Sequence, residues 1–249
     1  MENSQEKIRG ILIQRGNELF KQPYKKIDFT KNPQADDLLN NLEEFSHAFT
    51  LACVMDRQVR AERAWLIPYE ISTEINGFSI SKLLKLDLNQ FRDMFKRKKL
   101  HRFNDVMAEN FYLAVQKIHK EYNDDASNIW KDNLKSATIV RRFLGFKGIG
   151  VKIATMAANI LARDFKIPMR DYICIEVSPD RHVVRVFKRL GFIPKSAGND
   201  ELIYCARELN PLYPGIFDLS CWEIGRNWCK PRDPACKECY LNEYCPKKL

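Results

Sequence analysis

Stretches of apolar residues at helical spacing run through most of the chain. In four of them an apolar side chain recurs every three or four positions, which is the period of a helix with one buried face. They cover residues 38–52, 103–114, 153–161 and 183–190. Glycine and proline lie between these stretches rather than pooled in one linker. The pattern predicts an all-α fold without internal repeats.

The fourth stretch also carries markers of a helix start and a helix end. Asp180 stands where an N-cap residue belongs, and Gly191 stands where a left-handed glycine would end the helix. Just before it, residues 172–177 alternate in the manner of a strand, although so short a piece cannot form a sheet alone. We therefore expect a capped helix over 181–190 and at most one short strand before it.

Length and composition indicate a globular protein with a sizeable core. The 249 residues are 45% hydrophobic and 29% charged, which excludes a disordered, collagenous or coiled-coil chain. The chain is long enough for one large domain or two small ones. Its net charge of +9 favours a polyanionic partner such as nucleic acid, although many soluble proteins are basic without a functional reason.

Neither a secretory signal nor a membrane-spanning run is visible in the sequence. The N-terminal residues are polar, and no apolar run approaches the roughly 18 residues that a membrane span requires. We therefore expect no membrane association and a location in the cytosol or at the nucleoid, where thiols stay reduced. The eight cysteines then need an explanation other than disulfides.

Five of the eight cysteines lie close to the C-terminus. Four of them form the pattern Cys229-x6-Cys236-x2-Cys239-x5-Cys245. Four thiolates can hold either an iron–sulfur cube or a structural zinc ion, and zinc sites usually have two close Cys-x-x-Cys pairs where this sequence has one. Cys221 falls outside the pattern and is expected to be a buried thiol.

Gly148 and Gly150 lie between two apolar helical segments. Two glycines one residue apart let the chain reverse tightly and let its backbone approach a ligand. Because the amides that follow open a helix, their free N–H groups suit a phosphate of a nucleic-acid backbone. Lys147 would add salt-sensitive attraction to such a phosphate. A simple turn between two helices is the plain alternative.

Lys152 falls in the first turn of the helix that follows the glycines. The positive end of the helix dipole favours the neutral amine, which is a nucleophile able to form a Schiff base with a sugar aldehyde carbon. On spacing alone, an ordinary surface lysine fits equally well. Asp180 likewise fits a helix cap as well as a catalytic carboxylate, and the two roles are compatible.

Three motifs together resemble the helix-hairpin-helix DNA glycosylases related to endonuclease III. Residues 146–154 are similar to Leu-Pro-Gly-Val-Gly-x-Lys-x-Ala, with Lys147 in place of the proline, and residues 180–186 are similar to Asp-x-His-x-x-Arg-Val. The spacing of the C-terminal cysteines matches the cluster loop of that family. The motifs occur in the family's order, and the resemblance covers residues 37–245.

The resemblance implies a role for each of these residues. Lys152 stands at the position of the family's nucleophilic lysine, and Asp180 stands at that of the aspartate that stabilises positive charge on the sugar. The four cysteines stand where the family holds a 4Fe-4S cluster. Gln58 falls where the family has a glutamine that fills the gap left by an extruded nucleotide. Lys230 and Arg232, inside the cysteine loop, are expected to contact phosphates.

The family implies two helical domains with DNA bound across the cleft. One is expected to span residues 33–164 and to end in the hairpin, and the other to combine residues 1–32 with 165–249 and to carry the cluster. Between Lys152 and Asp180 lie 27 residues, more than endonuclease III leads us to expect, so an inserted loop is predicted within 166–178.

The leading expectation is a monomeric DNA glycosylase with an associated lyase activity that breaks the strand by β-elimination. Its partner would be double-stranded DNA that contains a damaged base or an abasic site, with oxidised pyrimidines and 8-oxoguanine as the expected lesions. Two alternatives stand beside it. One is a monofunctional glycosylase similar to the adenine mismatch enzymes, and the other is a non-catalytic iron–sulfur protein that binds damaged DNA.

Overall fold

The computed structural model describes the backbone of residues 2–247, with side chains from Ser4 onwards. This part of the chain consists of helices, turns and coil without a strand, so the predicted all-α class is confirmed. None of the helices in residues 2–247 combines the length and the apolar character that crossing a membrane requires.

The described residues form twelve α-helices and two 3-10 turns. In chain order they are α1 (Glu2–Phe20), α2 (Pro33–Asn40), α3 (Leu42–Met55), α4 (Ala61–Glu74), α5 (Ile80–Leu83), α6 (Leu88–Lys98), α7 (Asn104–Tyr122), a 3-10 turn (Ala126–Ile129), α8 (Ser136–Leu144), α9 (Val151–Arg163), α10 (Arg181–Leu190), α11 (Asn199–Leu209), α12 (Ile216–Asn227) and a 3-10 turn (Cys236–Glu238).

The chain divides into two compact units. The middle unit runs from Tyr24 to Pro168 and contains α2 to α9. The split unit combines the N-terminal residues up to Pro23 with the residues from Met169 onwards, and it contains α1 and α10 to α12.

The core of the middle unit forms around α3, which packs against α2, α4, α7 and α9. Every α3 residue from Ser46 to Met55 is buried. The ring of Phe49 is fully buried and contacts Trp65 of α4, Trp130 and Phe143 of α8 at centroid distances of 5.6, 5.9 and 6.4 Å. Large aromatic side chains contribute much of the apolar burial that holds such a bundle together.

Three of the four predicted helices are confirmed, and one is wrong as a single helix. Residues 103–114, 153–161 and 183–190 fall in α7, α9 and α10, whereas residues 38–52 are divided between α2 and α3. The division lies at Asn41, which ends α2 and whose side chain accepts a hydrogen bond from the Glu44 amide at the start of α3. An asparagine that bonds to the nearby backbone competes with the helix, and the apolar spacing does not reveal this.

In the split unit, α12 packs against α1 and α10. The rings of Phe187 on α10 and Phe217 on α12 meet edge to face at 5.8 Å. Arg15 on α1 donates two hydrogen bonds, of 2.9 and 2.6 Å, to the carboxylate of Glu223 on α12. The three helices thereby form one packed group, from which α10 carries Asp180 at its start.

Residues 172–177, which alternate in the manner of a strand, form coil and turn instead. Its backbone groups pair with a loop and a side chain instead of another strand. The carbonyl of Ile175 accepts a hydrogen bond from the Gly215 amide at 2.7 Å, and the Ser178 amide donates to buried Asp218 at 2.8 Å. The ring of Tyr172 stacks on Tyr213 at 4.8 Å. The segment is therefore a packed, irregular connection that precedes α10.

Candidate functional site

The hairpin between α8 and α9 has two glycines for two different reasons. Gly148 has a φ of +92°, and a Cβ atom there would lie 2.5 Å from Nδ2 of buried Asn110. Gly150 has a φ of −99°, which any residue adopts, and a Cβ atom there would meet no atom within 4 Å. The fold itself requires glycine at 148, whereas at 150 glycine leaves open space in front of the helix.

Lys152 lies in the first turn of α9, as predicted, and its side chain is exposed. Gly150 is the N-cap residue of α9 and supplies no side-chain acceptor for the first amides of the helix. The hairpin therefore presents uncapped N–H groups, the positive end of a helix dipole and the Lys152 amine on one exposed turn.

Two of the basic residues next to this hairpin, Arg142 and Lys147, are already paired within the middle unit. Lys147 is exposed and donates a hydrogen bond to the carboxylate of Glu109, and this ion pair lowers the pKa of the Glu109 carboxyl. Arg142 donates to the carbonyl oxygens of Asn128 and Ile129 at 2.7 and 3.3 Å. Arg142 therefore anchors α8, while Lys147 can exchange a surface carboxylate for another anion.

Gln58 stands on the loop between α3 and α4. Its side chain is exposed, and its φ of +56° is rare for a residue with a side chain. Beneath the loop lies His101, which is 3% exposed and whose Nδ1 accepts a hydrogen bond from the Phe103 amide. Burial is the main cause that lowers the pKa of His101. The loop therefore rests on a buried ring and presents Gln58 outwards.

Asp56, on the same loop, is a site residue that the sequence analysis missed. It follows the last residue of α3 and is half-buried, and burial raises the pKa of its carboxyl. The charge of Lys152 acts on this carboxylate. A carboxylate directly before an arginine and a glutamine gave no motif, and Lys152 lies far from it in the sequence.

Asp180, in the split unit, caps α10 as predicted. Its Oδ1 accepts hydrogen bonds from the amides of His182 and Val183 at 2.7 and 2.8 Å. Both bonds use the same oxygen, which leaves Oδ2 for another partner. Gly191 ends the helix in the left-handed conformation with a φ of +79°, so both predicted ends of the helix are confirmed.

Two arginines of α10 hold the segment that carries the C-terminal cysteines. Arg185 donates to the carbonyl oxygens of Cys229 and Gly225 at 2.7 and 2.9 Å. Arg189, one turn later, donates to the carbonyl oxygen of Lys230 at 2.6 Å and to Sγ of Cys229 at 3.3 Å. The sequence analysis gave neither arginine a role. Their spacing of four residues places both on one face of α10.

The four cysteines Cys229, Cys236, Cys239 and Cys245 line one cavity, which is partly open to solvent. Burial and the neighbouring thiols raise the pKa values of Cys239 and Cys245. Within residues 2–247, no group of three or more His, Cys, Asp or Glu side chains is arranged to hold a metal ion.

The rest of this cavity fits a 4Fe-4S cluster. Apolar side chains of α10, α12 and the C-terminal loop supply most of the remaining lining, namely Val186, Leu190, Ile224, Trp228 and Leu241. Arg189 directs an N–H group at a thiol sulfur, and N–H groups near the sulfurs are typical of such sites. Asn242 also lines the cavity, and its buried Oδ1 has no hydrogen-bond partner within the described residues.

Lys230 and Arg232 lie on the loop between the first two of these cysteines, and both are exposed.

Four further cysteines lie outside the cavity. Cys53 and Cys221 are fully buried, and Cys174 and Cys205 are half-buried. The predicted site residues are divided between the two units. The hairpin glycines, Lys147 and Lys152 belong to the middle unit with Gln58, and Asp180 belongs to the split unit with the cysteine loop.

Comparison with known proteins places this fold. No model of a known protein family matches the chain. Over 108 residues it is 32% identical to endonuclease III of Thermotoga maritima, a stretch that covers 43% of this chain and 45% of that enzyme. The matched stretch thus spans less than half the length of this relative.

Two solved structures are similar along nearly the whole chain. A trapped covalent endonuclease III–DNA intermediate has a TM-score of 0.53 at 17% identity and covers 98% of this chain and 96% of its own. A thermostable thymine-DNA glycosylase has a TM-score of 0.54 at 14% identity and covers 99% and 97%. At these identities the similarity establishes the fold alone.

Proposed function

We propose that this chain, which has the fold of the helix-hairpin-helix DNA glycosylases, removes damaged bases from DNA and then cleaves the strand. The observation that carries the proposal is the exposed lysine in the first turn of α9, directly after an uncapped glycine turn. The sequence similarity to an endonuclease III supports the assignment to base excision repair. The double-stranded DNA partner agrees with the net charge of +9.

Lys152 would be the nucleophile. Its neutral amine attacks C1′ of the flipped nucleotide with its lone pair, and the bond from C1′ to the base breaks. The base leaves with that electron pair and takes up a proton. The nitrogen loses a proton, the sugar ring opens at O4′, which takes up a proton, and an iminium results. The iminium acidifies the 2′ C–H group, whose deprotonation expels the 3′ phosphate.

Asp180 would stabilise the positive charge that develops on the sugar as the base departs. A carboxylate held in place by two backbone amides costs little reorganisation when charge develops nearby, and such preorganised groups contribute several kcal/mol to catalysis. The capping bonds occupy Oδ1, so Oδ2 is the oxygen that we assign to the sugar. The helix cap and the catalytic role are then served by one side chain.

DNA would be held through its backbone and through the gap left by the extruded nucleotide. The amides after Gly148 and Gly150 suit a phosphate, and Lys147, Lys230 and Arg232 would add charge without sequence preference. Gln58 would fill the space of the flipped nucleotide and offset part of the few kcal/mol that flipping costs. Its exposed position on a left-handed residue supports this role.

The C-terminal cysteines would hold a 4Fe-4S cluster through their four thiolates. When bound, the cluster would crosslink four positions of the C-terminal segment 229–245 to one another. Arg185 and Arg189 hold the same segment independently through its carbonyl oxygens. Their role is to present the exposed Lys230 and Arg232 on a fixed loop. A reducing intracellular compartment would keep the thiols available for the cluster.

A borohydride trapping experiment on a lesion panel tests this function. Duplexes with an oxidised pyrimidine, 8-oxoguanine, a mispaired adenine, a mispaired thymine or an abasic site are each incubated with the protein and borohydride. We expect a covalent complex with at least one damaged duplex, its loss in Lys152→Ala, and its retention in Lys120→Ala, an exposed lysine of α7.

The same panel of duplexes tests the two alternative functions, a monofunctional glycosylase and a non-catalytic protein that binds damaged DNA. Release of free base that leaves an intact abasic strand, without a trapped complex, would contradict the lyase assignment and favour a monofunctional glycosylase. Binding of abasic DNA without product from any duplex would contradict the enzymatic assignment altogether. Gel filtration of the protein with and without DNA checks the expected monomer.

A further inference from the structure

Trp222 and Arg226 form a stacked pair on the exposed side of α12. Cζ of Arg226 lies 4.5 Å from the centroid of the Trp222 ring. Both residues are exposed, and 45% of the Trp222 surface is accessible. Stacking on the ring holds the planar guanidinium in one orientation. The pair is therefore a flat, cationic surface of the kind on which nucleic-acid bases stack.

A second stacked pair of the split unit shows how Arg226 differs from an ordinary surface arginine. On α11, Cζ of Arg207 lies 4.8 Å from the centroid of the Tyr204 ring. Arg207 also donates three hydrogen bonds, of 2.7, 3.0 and 3.1 Å, to the carboxylate of Glu176. Within residues 4–247, by contrast, no hydrogen bond or ion pair joins Arg226 to a carboxylate. Its N–H groups are therefore available to an external anion.

The two carboxylates of α12 do not neutralise this surface, because both have partners inside the split unit. Glu223 accepts hydrogen bonds of 2.9 and 2.6 Å from Arg15 on α1. Asp218 is 3% exposed and accepts a hydrogen bond of 2.8 Å from a backbone amide. The surface around Trp222 therefore carries the positive charge of Arg226, which suits a polyanion.

The side of α12 that carries Trp222 also supports the segment that contains Asp180. Asp218 accepts its hydrogen bond from the amide two residues before Asp180. Further along the helix, a Cβ atom on Gly225 would lie 2.7 Å from Cβ of His182. Position 222 is four residues after 218 and three before 225, which places all three on one side of the helix. Trp222 therefore lies beside the segment 178–182.

We propose that Trp222 and Arg226 bind one nucleotide of the DNA strand, next to the sugar that Asp180 serves. This proposal rests on the function proposed above and adds a contact beyond the hairpin and the cysteine loop. Arg226 pairs with the phosphate of that nucleotide, and the exposed ring of Trp222 stacks on its base. Because every base has an aromatic face, the contact has no sequence preference. It stabilises a base that loses a stacking neighbour when the adjacent nucleotide is extruded.

Tryptophan fluorescence reports on this contact directly. Of the four tryptophans, all of which the structure describes, Trp222 is the most exposed. The probe is a duplex with a tetrahydrofuran residue, an abasic-site analogue that the protein can bind and cannot cleave. Saturating amounts of this duplex should quench the emission and shield it from acrylamide, and Trp222→Phe should remove most of the response. Unchanged emission of the wild type at saturation, or an undiminished response in Trp222→Phe, would overturn the proposal.

Affinity for the same duplex tests the two side chains separately. Trp222→Ala should weaken binding about 5- to 100-fold, the loss expected of one stacked base. Arg226→Gln should weaken binding and reduce the slope of log affinity against log salt by about 1, because one phosphate contact is lost. Tyr204→Ala removes the ring of the other stacked pair and should keep both quantities, since Arg207 is occupied by Glu176.

Melting temperatures separate a lost DNA contact from a damaged fold. Arg226 is exposed and should be replaceable by glutamine without loss of stability. If Trp222→Ala melts earlier than the wild type, Arg226→Gln therefore decides. Wild-type affinity and salt slope in Arg226→Gln would overturn the proposal.

The uncleavable duplex keeps this test separate from that of the proposed function. A wild type that shows the Trp222 response, yet forms no trapped complex with any damaged duplex, would contradict the lyase function and support this site. A wild type that is trapped on damaged DNA through Lys152, while Trp222→Ala and Arg226→Gln bind as tightly as the wild type, would contradict this site alone.

Discussion

A Cβ atom on Gly148 would lie 2.5 Å from Nδ2 of Asn110, whereas one on Gly150 would meet nothing within 4 Å. The two glycines of this turn are therefore needed for different reasons. The first is required by the packing of α7 against the hairpin, and the second keeps the approach to the first turn of α9 clear.

Alanine substitutions at the two positions should affect different properties. The one at 148 should lower stability, and the one at 150 should weaken DNA binding. Gly148→Ala combines a positive φ with a steric overlap against a buried side chain, and we expect it to cost at least about 1–2 kcal/mol of stability. Gly150→Ala should leave the free energy of unfolding within about 0.5 kcal/mol of the wild type and weaken DNA binding. Urea unfolding and a DNA titration measure the two quantities. A Gly150→Ala protein with full affinity would contradict the phosphate contact.

Asp180→Asn tests the double role of the α10 cap. Asparagine caps helices about as well as aspartate, so the variant should fold with an unchanged melting temperature. Base excision should fall about 100- to 1000-fold, because a preorganised charge is lost. Asp87→Asn makes the same exchange at the N-cap of α6 and should keep full activity. If Asp180→Asn excises bases at the wild-type rate, Asp180 serves only as a cap.

The cysteine cavity predicts a selective effect of serine substitution. The wild type should contain about four iron atoms per chain and absorb visible light. Cys236→Ser should lose this absorbance and most of the iron. Cys205→Ser changes a half-buried thiol outside the cavity and should keep both. Purified protein that contains zinc and no iron would contradict the cluster assignment.

Two buried histidines make the protein less stable as the pH falls below neutral. Burial lowers the pKa values of His47 and His101 in the folded state. The unfolded chain then binds protons first, as the pH falls through the ordinary histidine value of about 6.5. The free energy of unfolding should therefore fall between pH 7.5 and pH 5.5, a window above the range in which carboxylates titrate.

Urea unfolding of the wild type and of His47→Gln at both pH values checks this dependence. Glutamine can still donate to the carbonyl of Phe78, which His47 contacts, and it does not titrate. The variant should lose less stability on acidification than the wild type. An equal loss in the two proteins would show that His47 is not responsible.

Local features of this fold could be predicted from the sequence, and long-range ones could not. The helix from Asp180 to Gly191 has its cap, its apolar face and its end within one short segment, so both ends are predicted correctly. The break at Asn41 is local too, but it depends on one side-chain hydrogen bond that apolar spacing does not encode. The alternating residues 172–177 form no strand, because their backbone partners lie in the segment 213–218.

The candidate site shows the same limit. The residues that the motifs name are those whose types and spacing are characteristic, such as the hairpin glycines and the C-terminal cysteines. Asp56 is half-buried only because α3, which it ends, packs against its neighbouring helices, and its own sequence neighbours give no sign of that. Arg185 and Arg189 gain their roles from carbonyl groups about forty residues away in sequence.

The most direct test of the account is the position of the covalent bond to DNA. The borohydride-trapped complex with a damaged duplex is digested with a protease and a nuclease, and mass spectrometry locates the sugar remnant. The account predicts that the remnant lies on Nζ of Lys152. A remnant on any other amine, or a wild-type protein that cleaves damaged DNA without forming a trapped complex, would contradict it.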